Sequence, residues 1–152
     1  MNKILMPLSF IVVVLGVLMA ILFSFWSLYP YDVFEIKKLP VPVTEPENIK
    51  SGRLIFLDID FCKYMDVEGK VERFLVSERE VIALPSYTDG APKGCQEAQV
   101  PILLPYTILA QEFRITYKAT YQVNPIRTVV EEFETKSFVI KPIVELPVEG
   151  GE

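Results

Sequence analysis

The chain has 152 residues and contains no histidine. This absence excludes Ser-His-Asp and Cys-His nucleophilic systems, imidazole-based zinc and copper sites, and pH switching by histidine. Cysteine is nearly absent as well, because only Cys62 and Cys95 occur, and they do not form a C-x-x-C redox motif. The sequence therefore predicts a protein that is not an enzyme and that holds no cofactor and no metal ion.

Positive charge is also scarce. The chain carries 15 Lys and Arg against 20 Asp and Glu, which gives a formal net charge of −5. Proteins that bind nucleic acid owe much of their affinity to lysine and arginine side chains that neutralise phosphates. We therefore expect no nucleic acid partner.

No charged side chain occurs in residues 4–28, where only Pro7, Gly16 and three serines interrupt an apolar run. A helix of this length measures about 37 Å, which is enough to cross a hydrocarbon core of roughly 30 Å. Backbone groups in lipid must be paired within the segment, so a helix is strongly favoured. The sequence predicts a single transmembrane helix over residues 4–28, preceded by a short N-terminus of residues 1–3.

The apolar run differs from a secretory signal peptide in two respects. It exceeds the usual h-region of about 7–15 residues, and Phe25 and Trp26 stand where a signal peptidase needs small side chains. We interpret it as an uncleaved signal anchor; a cleaved signal that releases a soluble sandwich, and a buried helix of a soluble protein, are the alternatives. Because Lys3 precedes the run while Asp32 and Glu35 follow it, the positive-inside rule places the N-terminus in the cytoplasm and the C-terminal domain outside.

Small side chains recur at every fourth position of the predicted helix, at Gly16, Ala20 and Ser24. Such a ridge lets a second helix approach closely, so these residues are candidates for a contact with another copy or with a larger membrane protein. The alternative is that the three align by chance, because small residues are common in membrane spans.

Residues 29–48 contain four prolines, which block a helix and favour extended backbone. We interpret this segment as a semi-rigid Pro-rich stalk that holds the domain away from the bilayer. A first edge strand containing Val33, Phe34 and Ile36 is the alternative.

The domain predicted over residues 49–142 contains two clearly alternating segments, as half-buried strands do. In residues 54–64 the apolar face carries Ile55, Leu57, Ile59 and Phe61, and residues 112–123 alternate over six pairs. Residues 71–84 are predicted to form a further strand, broken near 77–79, and residues 129–140 a return strand with a bulge. Residues 85–99 have the composition of a loop. Residues 143–152 are predicted to form a flexible acidic tail.

The order of these segments is similar to the immunoglobulin or fibronectin type III superfold. The resemblance lies in an entry at Leu104 and Pro105, a short connection, and a long alternating strand that begins with Gln111. It implies an all-β, antiparallel sandwich preceded by one transmembrane helix. It implies no activity, because that superfold carries many functions. The Cys…Trp…Cys signature is missing, since the one tryptophan, Trp26, belongs to the apolar run.

Cys62 and Cys95 both fall in the part of the chain predicted to be outside. An even pair in an oxidising compartment favours one disulfide, here between the end of the first core strand and the predicted loop. Closing a loop of about 34 residues would contribute on the order of 3–4 kcal/mol. Two reduced thiols are the alternative if the orientation is reversed.

Candidate site residues are few. Asp58 and Asp60 lie on one strand face, about 7 Å apart. They could bind Ca²⁺ or act as an acid/base pair, although exposed surface charge explains them as well. Tyr87 and Tyr106 lie near predicted loops and could anchor a protein partner, and Arg127 follows a predicted turn and could dock one.

Taken together, these features favour a single-pass membrane protein whose sandwich is an interaction or structural module. We expect it in an envelope or in a viral or phage membrane assembly, with the lipid bilayer and a protein partner, or a second copy, as its contacts. The competing hypothesis is an extracytoplasmic enzyme or a ligand- or metal-binding domain that uses the face of Asp58 and Asp60.

Overall fold

The computed structural model of the protein describes residues 5–106, 108 and 111–141. It begins with one helix, α1, over Leu5–Leu28. None of the side chains in Phe10–Leu28 is buried within the protein, and this stretch is long and apolar enough to cross a membrane. That part of the sequence prediction is confirmed. The predicted N-terminus, residues 1–3, and the predicted tail, residues 143–152, lie outside the described residues.

Eight strands follow within the described residues. They are β1 (Phe34–Ile36), β2 (Leu54–Lys63), β3 (Gly69–Val76), β4 (Val81–Asp89), β5 (Gly94–Leu103), β6 (Gln111–Asn124), β7 (Arg127–Glu134) and β8 (Phe138–Ile140), with a single 3₁₀ turn at Pro46–Asn48. All strand pairs are antiparallel. One sheet has the order β1-β2-β5 and the other β4-β3-β6-β7, with β8 paired to β6. The all-β fold class with one N-terminal helix is confirmed.

The core lies between the two sheets and is built from the alternating faces that the sequence predicts. On β6, Phe113, Ile115, Tyr117, Ala119 and Tyr121 are each no more than 1% exposed. The inward face of β2 is Ile55, Leu57, Ile59 and Phe61, all buried in the same cluster. Burying apolar faces from both sheets is what holds two half-apolar sheets together.

The two ends of the sandwich differ in their distance from α1. Only residues 29–33 separate α1 from β1. Since Phe34 pairs with Lys63, and Lys63 pairs with Gly94, the end of β2 and the start of β5 lie near the helix. We call this the helix-side end. The opposite end, where Leu54 pairs with Leu103, is the far end.

The predicted stalk over residues 29–48 is wrong. Val33 and Val41 are fully buried, and Val43 and Ile49 are nearly so. The Val41 N–H donates to the Glu134 carbonyl at 3.0 Å. Proline excludes a helix here, but it leaves the extended backbone free to pack its valines into the core. The alternative reading, a first edge strand, is confirmed as β1.

The predicted loop over residues 85–99 is also wrong, because most of it belongs to β4 and β5. Its proline and glycine residues occur in edge strands and in the turn between them, where proline costs no ladder hydrogen bond. The predicted break near 77–79 is confirmed as the turn between β3 and β4. The predicted return strand over residues 129–140 is two separate strands, β7 and β8.

Candidate functional site where the helix meets the sandwich

The C-terminal end of α1 presents carbonyl groups that have no partner within the helix. No basic residue occurs in the last turn of α1 to bind them. The partners come instead from the turn between β6 and β7. The Arg127 guanidinium Nη1 donates to the carbonyls of Ser27 at 2.8 Å and of Tyr29 at 2.6 Å, about 100 residues away in sequence. A cation at this position also suits the negative end of the helix dipole.

Asn124 is the second residue of this junction. Its side-chain Nδ2 donates to the Trp26 carbonyl at 3.2 Å and to the Tyr31 hydroxyl at 3.1 Å. The Arg127 guanidinium lies 5.4 Å from the centre of the Tyr31 ring, which is a cation–π distance. Two side chains of the sandwich thus cap the helix and hold the segment that leaves it.

Aromatic rings continue the junction along the helix. The Tyr29 ring lies 5.1 Å from the ring of Phe25 and 5.1 Å from the ring of Tyr31. Tyrosine rings of this kind favour the headgroup layer at the end of a membrane span. The junction therefore combines capping donors with the side chains that mark a membrane surface.

A cleft of about 730 Å³ lies beside the junction. It is lined by the segment that links α1 to β1 and by Tyr64, Met65 and Glu131. The Tyr64 hydroxyl donates to the Glu35 carboxylate. This hydrogen bond, followed by burial and the charges of Glu35 and Asp32, raises the pKa of Tyr64. Burial, with a further contribution from Asp32, raises the pKa of Glu131.

A buried ion pair joins the two sheets at the helix-side end. Lys63, at the end of β2, has a side chain only 1% exposed, and its Nζ donates to the Asp89 carboxylate at 3.0 Å. The Tyr121 hydroxyl donates to the same carboxylate at 3.0 Å. Burial, and then the charge of Asp89, raises the pKa of Tyr121. The sequence analysis did not predict this network, although Lys63 lies on the same inward-facing side of β2 as Ile55 and Phe61.

The disulfide between Cys62 and Cys95 is present, which confirms the predicted pairing. Its position was predicted wrongly in one respect, since Cys95 lies in β5, directly opposite Cys62, and not in a loop. The bond therefore links the central strand β2 of the smaller sheet to the edge strand β5 at the helix-side end.

Asp58 and Asp60 have separate protein partners. Asp58 accepts hydrogen bonds from the Thr44 hydroxyl at 2.9 Å and from the Gln99 amide at 3.1 Å. Asp60 lies 3.3 Å from the Lys37 ammonium. Among the described residues no group of three or more acidic or cysteine side chains could hold a metal ion. The pair belongs to the solvated face of the smaller sheet.

The two tyrosine candidates lie apart from each other and from Arg127. Tyr87 is 38% exposed on β4, beneath the Arg73 guanidinium, whose centre lies 5.0 Å from the ring. Tyr106 is 71% exposed and its ring covers Gly52, where an added Cβ would clash. Neither residue is part of the junction.

An exposed apolar patch lies at the far end of the smaller sheet. Leu54 pairs with Leu103 and Phe56 with Pro101, so four apolar side chains form a square on the outer face. Leu54 is 51% exposed and Leu103 57%. We call these four residues the far-end patch. They adjoin the outer edge of β5, which pairs with no other strand in the described part of the chain.

Gly16, Ala20 and Ser24 are exposed on α1, and a Cβ added at Gly16 would meet no atom within 4 Å. A close helix–helix contact at this ridge stays a prediction.

The junction was only partly visible in the sequence. Arg127 was singled out as a docking residue, and the structure places it on the helix of its own chain. The contact of Asn124 with Tyr31 was not predicted, because no local pattern links a turn to a segment 93 residues earlier in the chain.

No protein-family model matches this chain, and no curated protein matches it at a significant level.

Proposed function

We propose that the protein is a single-pass membrane protein that presents its sandwich outside the cytoplasm as an interaction or structural module. The module would belong to an envelope or to a viral or phage membrane assembly. In this proposal α1 spans the bilayer as an uncleaved anchor, with the N-terminus in the cytoplasm. The sandwich then sits directly on the membrane surface through the contacts of Asn124 and Arg127 with the helix end.

The observation that carries this proposal is the combination of an apolar, unburied helix with a polar cap at its end. A helix that is apolar on all sides needs either a protein core or a membrane around it, and no side chain of Phe10–Leu28 is buried in the protein. The cap supports a retained helix, because removing α1 would take away the Trp26 carbonyl that Asn124 binds and the Ser27 carbonyl that Arg127 binds.

The far-end patch supports the role as an interaction module. Exposed apolar side chains that cluster on a sheet face often mark protein contacts. The unpaired edge of β5 beside the patch could accept a further strand. The patch lies at the end of the smaller sheet opposite the helix-side end, where a membrane-bound module would meet a partner.

Membrane insertion and orientation can be tested on the full chain with a C-terminal epitope tag. We expect the protein to resist alkaline extraction, and we expect the tag to be digested by protease added from outside the cytoplasm. The intact mass should retain residues 1–28. Release into the soluble fraction, or a mature chain that begins after the helix, would contradict the anchor.

The interaction role can be tested with Leu54→Glu and Leu103→Glu, compared with Val139→Glu on β8. Val139 is 50% exposed, similar to both leucines, but lies outside the far-end patch. We expect cross-linked complexes in the native membrane to be lost in the first two variants and retained in the third. Equal yields from all three variants would contradict a docking role for the patch.

A further inference from the structure

The turn between β6 and β7 contacts the C-terminal end of α1. Asn124 ends β6 and Arg127 begins β7, and both reach carbonyls in the last turn of α1. Pro125 and Ile126 form the tip of the hairpin between the two strands. Because Trp26 and Ser27 belong to the apolar stretch Phe10–Leu28, the tip lies beside the end of the proposed membrane span.

The side chains at the tip are apolar and uncovered. Ile126 is 46% exposed, and Pro125 is exposed as well. Neither residue carries a charge. The acidic residue of β7 that lines the cleft is Glu131, which lies farther along the strand from the tip. The tip is therefore an apolar end on an otherwise acidic domain.

The N–H groups of the tip also suit a lipid environment. Lipid offers no hydrogen-bond partner, so an N–H group that enters it must be absent or already bound. Pro125 has no N–H, and the Ile126 N–H donates to the Asn124 side-chain Oδ1 at 3.0 Å. Both tip positions meet this requirement without water.

The charge next to the tip is compensated. The Arg127 guanidinium is held by two helix-end carbonyls and by the Tyr31 ring. An arginine in this position can stay at the headgroup level while the apolar residue before it goes deeper, as long side chains do at membrane surfaces.

From these contacts we infer that Pro125 and Ile126 form a second membrane contact of the protein. The tip enters the boundary between headgroups and acyl chains of the same bilayer that α1 spans. This inference rests on the proposed function, since it requires α1 to cross the membrane. Two contact points, the helix and the tip, fix the tilt of the sandwich against the membrane surface, which a helix alone would leave free.

The single tryptophan of the chain allows a direct test by fluorescence. The full chain is reconstituted in phosphatidylcholine vesicles that contain lipids brominated near the carbonyl end of the acyl chain. Wild-type Trp26 reports on the helix. In a Trp26→Phe background, Ile126→Trp reports on the tip, while Val130→Trp and Val81→Trp are controls. Val130 matches Ile126 at 46% exposure, and Val81 is 64% exposed at the far end.

We expect strong quenching of Trp26 and of the tryptophan at position 126, weaker quenching at 130 and none at 81. Position 130 is four residues after position 126, about 13 Å along an extended backbone, which exceeds the reach of contact quenching. Ile126 and Val130 are both exposed, so neither substitution disturbs the core. Retention of the disulfide and of a cooperative thermal transition confirms that each variant is folded.

The other outcomes separate the two proposals. If Trp26 is quenched while position 126 is no more quenched than position 81, the tip contact is overturned and the membrane anchor stands. Equal quenching at 126, 130 and 81 overturns the tip contact too, since it would show no dependence on depth. If Trp26 itself is not quenched, α1 does not span the bilayer and both proposals fail.

Discussion

The two ends of the sandwich are built from different kinds of contact. At the helix-side end, distant parts of the chain meet through buried or partly buried polar groups: Lys63 pairs with Asp89, and Asn124 and Arg127 cap α1. At the far end the one buried side-chain hydrogen bond that is described joins the Ile115 N–H to the Thr135 hydroxyl, and the ion pair is exposed. Ser77 binds the backbone of its own turn, and the Arg114–Glu134 pair is about half exposed on both sides.

This difference indicates where the arrangement of the elements is held fixed. Long-range contacts through buried polar groups hold their elements in one arrangement, because any other arrangement leaves a charge or donor without a partner. The far end instead leaves apolar side chains open to solvent. The helix-side end holds the sandwich against the helix, and the far end leaves the far-end patch exposed to solvent.

The largest expected effect comes from Asp89→Ala. This change leaves the Lys63 ammonium buried without its carboxylate, which typically costs about 3–5 kcal/mol of unfolding free energy. The matched far-end change, Glu134→Ala, removes the carboxylate of an exposed pair and should cost no more than about 1 kcal/mol. Thermal and denaturant unfolding of the full chain in detergent micelles measures both.

A double change sharpens the same comparison. Lys63→Met combined with Asp89→Leu removes both charges, so no unpaired buried charge remains, while the Tyr121 hydroxyl loses its acceptor. We expect it to be markedly more stable than Asp89→Ala alone. A similar loss in Asp89→Ala and Glu134→Ala would show that the two ends do not differ in this way.

A smaller and more local effect is expected from Arg127→Ala. The variant loses both hydrogen bonds to the helix end and the favourable charge there, together about 1–2 kcal/mol. Opening of the last helical turn should become about tenfold easier. Hydrogen exchange at the Tyr29 amide, which donates to the Phe25 carbonyl at 2.9 Å, reports this opening.

Arg114→Ala is the far-end control for that experiment. Arg114 is a more exposed arginine on β6 that pairs with Glu134 at 3.2 Å. Exchange at Tyr29 should be unchanged in this variant. Equally fast exchange in both variants would mean that the cap does not act through its contacts with the helix.

The fold was predictable where the pattern is local. Strict alternation identified β6 and the inward face of β2, and the pair Cys62–Cys95 followed from there being two cysteines in the predicted outer part. The apolar helix followed from its length and lack of charge. Each of these predictions depends on residues that are close together in the sequence or on the number of residues of one type.

The rest depends on contacts that no local pattern encodes. Prolines in residues 29–48 suggested a stalk, yet Val33, Val41 and Val43 find core positions supplied by strands far along the chain. The junction requires the turn at Asn124 and Arg127 to meet the helix end about 100 residues earlier. Only the assembled topology brings these parts together.

The smallest expected effect concerns Glu131 in the cleft of the helix-side end. Burial, together with the nearby charge of Asp32, raises the pKa of Glu131 in the folded protein. The fold therefore favours the protonated form, so this favourable contribution is present in acid and is lost as the pH rises through the folded-state pKa. Glu131→Gln removes this loss. At neutral pH it should raise the free energy of unfolding by no more than about 0.5 kcal/mol, seen as a slightly higher Tm, and in acid it should give no gain.

Glu132→Gln is the control. Glu132 faces the other side of β7 and pairs with the Lys118 ammonium at 3.6 Å, so losing this pair should lower stability slightly or leave it unchanged. A similar gain from Glu132→Gln at neutral pH would assign the effect to general charge reduction, and a gain from Glu131→Gln in acid only would contradict the raised pKa of Glu131 as its cause.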